Sequence, residues 1–196
     1  MFLDLWKYIN AKGNKMSLKI KAIFTIITIS LLSGCSSNNI RAYRPAPSIK
    51  YDLPHSNQKI YVKSVTMPEG DTNSIMCRAA GNIYLPQKMT YSAYIGDALR
   101  KNLTVIDKLS DSSYGAHTID VVLTQVTFNS LAGEWFIDGD IKIDNQKPLT
   151  INTISQYGTS YFAIEACRNT AESFDEAVTN FIKKILNHPD IVQNLR

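Results

Sequence analysis

The sequence contains few of the residues that carry most enzyme chemistry. Among its 196 residues are three cysteines, three histidines and two tryptophans. It has no P-loop, no G-x-G-x-x-G and no G-x-S-x-G pattern. His55, His117 and His188 have no cysteine, histidine or carboxylate partner at the spacing of a metal site. We therefore expect a protein that is not an enzyme, with no catalytic residue, no metal and no cofactor.

Three acidic residues on one predicted strand, Asp138, Asp140 and Asp144, match a calcium-binding loop only superficially. Lys142 stands where such a loop needs an oxygen ligand, and the closing glutamate is missing. The acids also alternate with apolar residues, as they do on a strand that has one wet side. We predict a solvated sheet face here.

The chain also lacks an apolar run long enough to cross a bilayer. Its longest run, residues 22–32, is about half the length of the roughly 20 residues that a spanning helix needs. Lysines precede the run and small residues follow it, which is the order of an export signal. We expect Met16 to be the true start, because residues 2–6 are unusual ahead of such a signal.

The four residues after this run, Leu32-Ser33-Gly34-Cys35, resemble the lipobox of bacterial lipoproteins. The resemblance implies that the Cys35 thiol receives a diacylglyceryl group, that cleavage occurs just before Cys35, and that the new amino terminus is acylated. Ser36 stands where an inner-membrane retention signal is commonly aspartate. The implied location is therefore the outer membrane, with the protein lipid-anchored and facing the periplasm. The alternative is an ordinary signal peptide followed by a chance cysteine.

The basic charge of the whole chain comes from its leader. The sequence has 21 basic and 17 acidic residues, and five of the lysines and one aspartate lie in residues 1–34. The remainder holds 16 residues of each sign. A mature chain of near-zero net charge gives no reason to expect a nucleic-acid partner.

Two cysteines remain once Cys35 is assigned to the lipid, Cys77 and Cys167. In an oxidising compartment, two thiols in a small domain suggest one disulfide bond. Neither cysteine lies in a C-x-x-C pattern or beside a histidine, so a catalytic thiol is disfavoured. Two separately buried free cysteines are the alternative.

The chain divides by composition into three parts: a leader (1–34), a lipid anchor with a flexible tether (35–58) and one domain (59–196). The tether is rich in Ser, Asn and Pro without apolar periodicity. A flexible chain of its length has a typical span of about 25 Å, so we expect the domain to stand off the membrane.

Within the domain, alternating apolar residues predict strands at 59–65, 119–128, 135–143 and 149–157. A change in the alternation around Thr124 and Gln125 predicts a β-bulge. Helical spacing predicts one helix capped by Thr90 and a second from Ala163 to about Asn187. The order β-α-β-β-β-α indicates an α+β fold, with two helices packed on one face of a four-stranded, mainly antiparallel sheet. The short connections favour antiparallel pairing throughout.

Two other segments of the domain lack a long periodic pattern. Residues 67–89 contain several Pro and Gly residues and predict a long loop that Cys77 anchors. The end of the chain, with Ile191, Val192 and Leu195, predicts a short amphipathic tail that packs back on the domain.

Tyrosine is the commonest aromatic residue, and five tyrosines fall in or beside loops and helix starts: Tyr84, Tyr91, Tyr94, Tyr157 and Tyr161. Exposed tyrosines would form an interaction surface, because the ring gives a large contact area and the hydroxyl a polar group. The alternative is that they lie at the edges of the core.

The anchor, the tether and the element order are similar to those of small auxiliary lipoproteins of the envelope. These include the accessory lipoproteins of MCE-type intermembrane lipid transport and the lipopolysaccharide-assembly lipoprotein. The resemblance implies a non-enzymatic adaptor or assembly subunit, bound to an envelope protein and to the membrane through its lipid. The alternatives are a ligand carrier or hydrolase with a cleft beside residues 67–89, and a passive structural lipoprotein.

Overall fold

A four-stranded sheet forms the centre of the computed structural model, which describes residues 38–45, 50, 51, 53 and 57–194. In chain order the elements are β1 (Ile60–Thr66), β2 (Ser74–Met76), β3 (Asn82–Tyr84), α1 (Tyr91–Val105), β4 (His117–Asn129), β5 (Glu134–Ile143), β6 (Leu149–Gln156), α2 (Ala163–Glu172), α3 (Phe174–Leu186) and α4 (Pro189–Asn194). The predicted α+β class, a four-stranded sheet with helices packed beside it, is confirmed.

The strand order in the main sheet is β1-β4-β5-β6. β5 pairs antiparallel with both β4 and β6, whereas β1 pairs parallel with β4. The prediction of antiparallel pairing throughout is therefore wrong for β1. The reason is that α1 lies between β1 and β4, and a strand that returns through a helical crossover runs parallel to the first.

The alternation of β5 places its apolar residues on one side of the sheet. Trp135, Ile137 and Ile141 are buried there, and α1 and α3 cover this side. The predicted bulge is also present, because the register of β4 against β5 shifts between Leu123 and Gln125. This shift lets Val126 return to the buried side with Leu123.

α1 begins where the sequence predicts, since the Thr90 hydroxyl accepts a hydrogen bond from the Ala93 amide at 3.3 Å. The second predicted helix is instead two helices, α2 and α3, which meet at Ser173. The Ser173 hydroxyl donates to the Thr170 carbonyl oxygen at 3.1 Å, and Phe174 then enters the core against Trp135. The apolar spacing continues across this junction, so the sequence pattern does not show it.

Residues 67–89 are more ordered than the loop predicted for them. They contain the hairpin of β2 and β3 and two short 3₁₀ turns, Arg78–Ala80 and Pro86–Lys88. At the other end of the domain, α4 packs back through the buried Ile191 as predicted. Leu195, assigned to the same tail, lies outside the described residues.

The described part of the predicted tether is bound to the domain. Asn39 forms a parallel bridge with Tyr84, and the Ile40 amide donates to the Tyr84 carbonyl oxygen at 2.8 Å. Ile40 and Tyr43 are buried in the core. The Tyr43 hydroxyl accepts a hydrogen bond from Asn102 Nδ2 at 2.7 Å. Residues 38–43 thus differ from a flexible linker, because their apolar side chains find partners on β3 and α1 that the local sequence does not reveal.

Gly139 makes the close approach of α3 to the sheet possible. A Cβ atom at this position would lie 3.1 Å from the Val122 carbonyl oxygen and 3.3 Å from Phe181 Cζ. We expect Gly139→Val to lower the free energy of unfolding by about 1–3 kcal/mol through overpacking, although valine favours strands. Urea unfolding followed by circular dichroism measures the change.

Gly158→Val is the matched control, because a Cβ atom there has nothing within 4 Å. We expect its unfolding midpoint to stay close to that of the unchanged protein. An equal loss in both variants would show that the packing of Phe181 does not depend on Gly139.

Candidate interaction surfaces

A disulfide bond joins the 67–89 segment to α2. Cys77 follows β2 and Cys167 lies in α2, and their sulfur atoms are 2.04 Å apart across a sequence separation of 90 residues. Both cysteines are fully buried. The bond fixes the hairpin of β2 and β3 against α2, so the surface around them is held by a covalent link as well as by packing.

Arg78, the residue after Cys77, joins three chain segments at one end of the sheet. Its guanidinium donates to the Ser130 hydroxyl at 2.9 Å and to the Ser130 carbonyl oxygen at 2.8 Å, and more weakly to the Tyr161 carbonyl oxygen at 3.4 Å. The Thr159 hydroxyl also donates to the Ser130 carbonyl oxygen. One charged side chain thereby holds the turn between β4 and β5 beside the segment that leads into α2.

Apolar side chains project into solvent from these joined segments. Leu131 is 75% exposed, Phe162 is 77% exposed, and Tyr161 is exposed over its whole side chain. Single exposed apolar residues are normal on protein surfaces, but several on segments held together indicate a contact surface. We call this surface the apolar end, and it consists of Met76, Leu131, Tyr161, Phe162 and Ile164.

The side of the main sheet that the helices leave uncovered is a second surface, the open face. Its residues include Val122, Phe136, Asp138, Asp140, Asn152 and Ile154. Phe136 lies opposite Ile154 in the register of β5 and β6, and Ile154 is largely exposed. A mixture of exposed apolar side chains with polar and charged ones resembles the composition of transient protein interfaces.

The charges on the open face are tied into local contacts. Asp120 accepts hydrogen bonds from Ser64 Oγ at 2.7 Å and Lys63 Nζ at 3.0 Å. Partial burial by itself raises the pKa of the Asp120 carboxyl, but these two donors bring the pKa below its usual value. Asp140 accepts from the Thr150 hydroxyl at 2.7 Å. The face therefore carries ordered hydrogen-bonding groups and an ion pair between Lys63 and Asp120.

The five tyrosines singled out in the sequence divide between core and surface. Tyr91 and Tyr94 are buried in α1, where burial raises the pKa of each hydroxyl above its ordinary value. Tyr157 is partly buried and its hydroxyl is 2.7 Å from that of Thr170. Only Tyr84 and Tyr161 have large exposed areas. Tyr91, Tyr94 and Tyr157 thus belong to the core or its edge, and the interaction-surface interpretation stays a prediction for Tyr84 and Tyr161.

The structure places the described histidines and the strand acids in structural contacts. His117 Nδ1 lies 2.8 Å from Asp144 Oδ2, while Asp144 Oδ1 accepts from the Thr118 amide. His188 Nδ1 accepts from the Asp190 amide at 3.3 Å. The pairing of His117 with Asp144 depends on strand register, so sequence spacing did not reveal it. His55 and Cys35 lie outside the described residues.

A surface depression of about 580 Å³ lies between the β5–β6 turn and α4. Ile141, Ile143, Lys147 and Asp190 are among the residues that line it, and none of its lining residues belongs to 67–89. It is therefore not the cleft expected beside that segment. Within the described ranges, no group of three or more His, Cys, Asp and Glu side chains is placed to hold a metal ion.

No motif or periodicity in the sequence pointed to Arg78. Its role depends on carbonyl oxygens of Ser130 and Tyr161, which are 52 and 83 residues away along the chain. Its positive φ of 49°, which is uncommon for a residue with a side chain, is also visible only in the structure. The one usable hint was its position beside Cys77 in a segment too long to be a simple connection.

The fold places the protein in the α+β class, as a mixed sheet with helices on one side. Neither a family model nor a curated protein matches the chain. Among solved structures, the chain is similar to protein XCC0632 from Xanthomonas campestris, described under the family model DUF330. The TM-score is 0.51 at 9% sequence identity, over 79% of this chain and 94% of that chain. At this identity the likeness shows a shared fold.

The disulfide is expected to contribute strongly to stability. In the chain-entropy model, closing a loop of about 90 residues is worth about 4–5 kcal/mol. We expect the double variant Cys77→Ala, Cys167→Ala to lose about that much free energy of unfolding in urea. Reduction of the unchanged protein should produce a similar loss.

The double variant serves as its own control, because a reducing agent should leave its unfolding midpoint unchanged. If the protein without substitutions unfolds at the same urea concentration with and without the reducing agent, the assignment of stability to this bond is contradicted.

Proposed function

We propose that this protein is an outer-membrane lipoprotein that faces the periplasm and is anchored by lipid on Cys35. Its domain acts as a non-enzymatic adaptor or auxiliary subunit of a larger envelope machine. The observation that carries the proposal is the sequence Leu32-Ser33-Gly34-Cys35 directly after a short apolar run. Among the described residues, no helix combines the length and the apolar character needed to cross a bilayer.

The open face supports the adaptor role. It is a broad sheet surface on which Phe136 and Ile154 form an apolar pair across β5 and β6, with the ordered Asp140 and Asp120 carboxylates farther along the strands. Surfaces of this composition suit a protein partner better than a small molecule, which is usually bound in a concave site. The likeness to XCC0632 adds that the same arrangement of helices and sheet occurs in another bacterial protein.

The use of the polar residues supports binding over catalysis. His117 is paired with Asp144, and Asp138 accepts a hydrogen bond from the Thr153 amide across β5 and β6. Catalytic groups normally converge on a substrate site with shifted pKa values. Here these side chains bind neighbouring strands and turns, which is a structural use.

The anchor is tested by expressing the full chain in a Gram-negative host and analysing the mature protein by mass spectrometry. We expect a polypeptide that begins at Cys35, carries acyl chains and fractionates with the outer membrane. Cys35→Ala should abolish both the modification and the processing, because the thiol is the acceptor. Cys77→Ala with Cys167→Ala is the control and should leave acylation intact. An unmodified, soluble mature chain would refute the anchor.

The adaptor role is tested by photo-crosslinking in living cells. A photo-reactive residue in place of Ile154, an exposed apolar residue of the open face on β6, should link to an envelope protein. The same residue in place of Tyr114, which is 93% exposed in the loop before β4, is the matched control and should not. Recovery of no protein partner above background from position 154 would contradict the proposal.

A further inference from the structure

We propose that the apolar end rests in the interface of the bilayer that holds the Cys35 lipid, so that lipid and side chains together orient the domain. This inference rests on the lipid anchor of the proposed function. It replaces the picture of a domain that stands off the membrane on a long tether. The argument has three steps: the reach of the chain, its direction and the chemistry of the surface.

The first step is the short distance between the anchor and the domain. Asn38 is three residues after Cys35, and its carbonyl oxygen accepts a hydrogen bond from the Tyr84 amide at 3.1 Å. The Ile40 amide donates back to the Tyr84 carbonyl oxygen at 2.8 Å. Three residues span at most about 11 Å when fully extended. The Cα atom of an acylated Cys35 therefore lies within about 11 Å of the Cα atom of Asn38, which is hydrogen-bonded to β3.

The binding of this segment continues beyond the first pair of hydrogen bonds. Tyr43 is buried, and its hydroxyl lies 2.8 Å from that of Thr179 in α3. The Tyr94 hydroxyl donates to the Arg41 carbonyl oxygen at 2.9 Å. Tyr43 and Tyr94 also pack edge to face with ring centroids 6.2 Å apart. Because residues 38–43 are bound at several points, the position of Asn38 is fixed by the fold, and only three residues separate it from Cys35.

The second step is the direction from which the chain enters. The bridge between Asn39 and Tyr84 is parallel, so Asn38 lies toward the Asn82 end of β3. Asn82 is paired with Met76 in the hairpin, and Met76 is followed by the Cys77 bond to α2. The described chain therefore begins beside the apolar end, so that a lipid on Cys35 would be within short reach of the exposed apolar side chains.

The third step is the chemistry of the apolar end. Tyr161 and Phe162 are aromatic residues, the type that sits at the boundary between water and hydrocarbon. Ile164 and Leu131 add aliphatic side chains beside them. The nearby Glu165 carboxylate accepts from the Ser160 hydroxyl at 2.9 Å and lies 3.5 Å from Arg168, so its charge is balanced at the surface. Such a surface suits a bilayer interface and needs no anionic lipid.

The test places a fluorescent reporter at the apolar end. Trp135 is buried and is the one tryptophan after Cys35, so Phe162→Trp adds a single exposed indole to the mature protein. The lipidated variant is reconstituted into phosphatidylcholine vesicles with and without brominated acyl chains, which quench tryptophan at shallow depth. Side chains of interfacial segments lie about 5–10 Å into the bilayer boundary, so we expect quenching about twofold or more above the control.

The control is Tyr114→Trp, because Tyr114 is at least as exposed as Phe162. It precedes β4, whose length of 13 residues separates it from the apolar end by about 40 Å. We expect little quenching at position 114. Quenching at position 162 should persist at high salt, because apolar contacts are not screened. Both variants keep the buried Trp135 as a common background.

Co-flotation with the vesicles separates the two proposals. Protein that floats and shows equal or no quenching at positions 162 and 114 would overturn the membrane contact while leaving the anchor intact. If the purified protein carries no lipid and does not float, both the anchor on Cys35 and the membrane contact of the apolar end are overturned. A photo-reactive residue in place of Phe162 that links to an envelope protein and not to lipid would likewise overturn the membrane contact, and would assign the apolar end to a protein partner.

Discussion

The covalent bond between Cys77 and Cys167 is the constraint on which the organisation of this domain depends. It holds the long connection between β1 and α1 against α2. Residues of that connection take part in three other features. The hairpin supplies Tyr84 for the amino-terminal segment, Arg78 ties the β4–β5 turn to residues 160–161, and Met76 extends the apolar end. The stability of a domain is only about 5–15 kcal/mol, so a bond worth about 4–5 kcal/mol is a large part of it.

For the amino-terminal segment, the entropy lost on ordering and the free energy gained from burial and hydrogen bonds are nearly equal. Fixing the backbone of six residues, 38–43, costs about 6–12 kcal/mol of conformational entropy. Burial of Ile40 and Tyr43 returns about 3–6 kcal/mol, and each hydrogen bond from Asn38 to Tyr43 returns about 1 kcal/mol. The segment is thus retained because β3 and α1 offer partners already in place. The disulfide bond helps to position β3, which supplies the backbone partners of Asn38 and Ile40.

The features that sequence patterns predicted are those set by local periodicity. The two-residue alternation of β5, the parity change near Gln125 and the Thr90 cap each depend on neighbouring residues, and the structure contains all three. The parallel pairing of β1, the junction at Ser173 and the contact of His117 with Asp144 depend on residues far apart in sequence. The burial of Ile40 and Tyr43 within the predicted tether also depends on distant residues, because Ser, Asn and Pro composition does not show contacts with β3 and α1.

The apolar end and the open face are proposed to make different contacts, the first with the bilayer and the second with a protein partner. β4 runs from His117 to Asn129, and the apolar end lies just beyond Asn129. If that end meets the bilayer, the strands rise from the membrane and the depression near Asp190 lies at the far end, about 40 Å away. The open face then points sideways, into the space beside the anchor, where a membrane-bound partner would stand. A connection of about three residues between lipid and domain restricts the orientations that the domain can take, whereas a long tether would allow many.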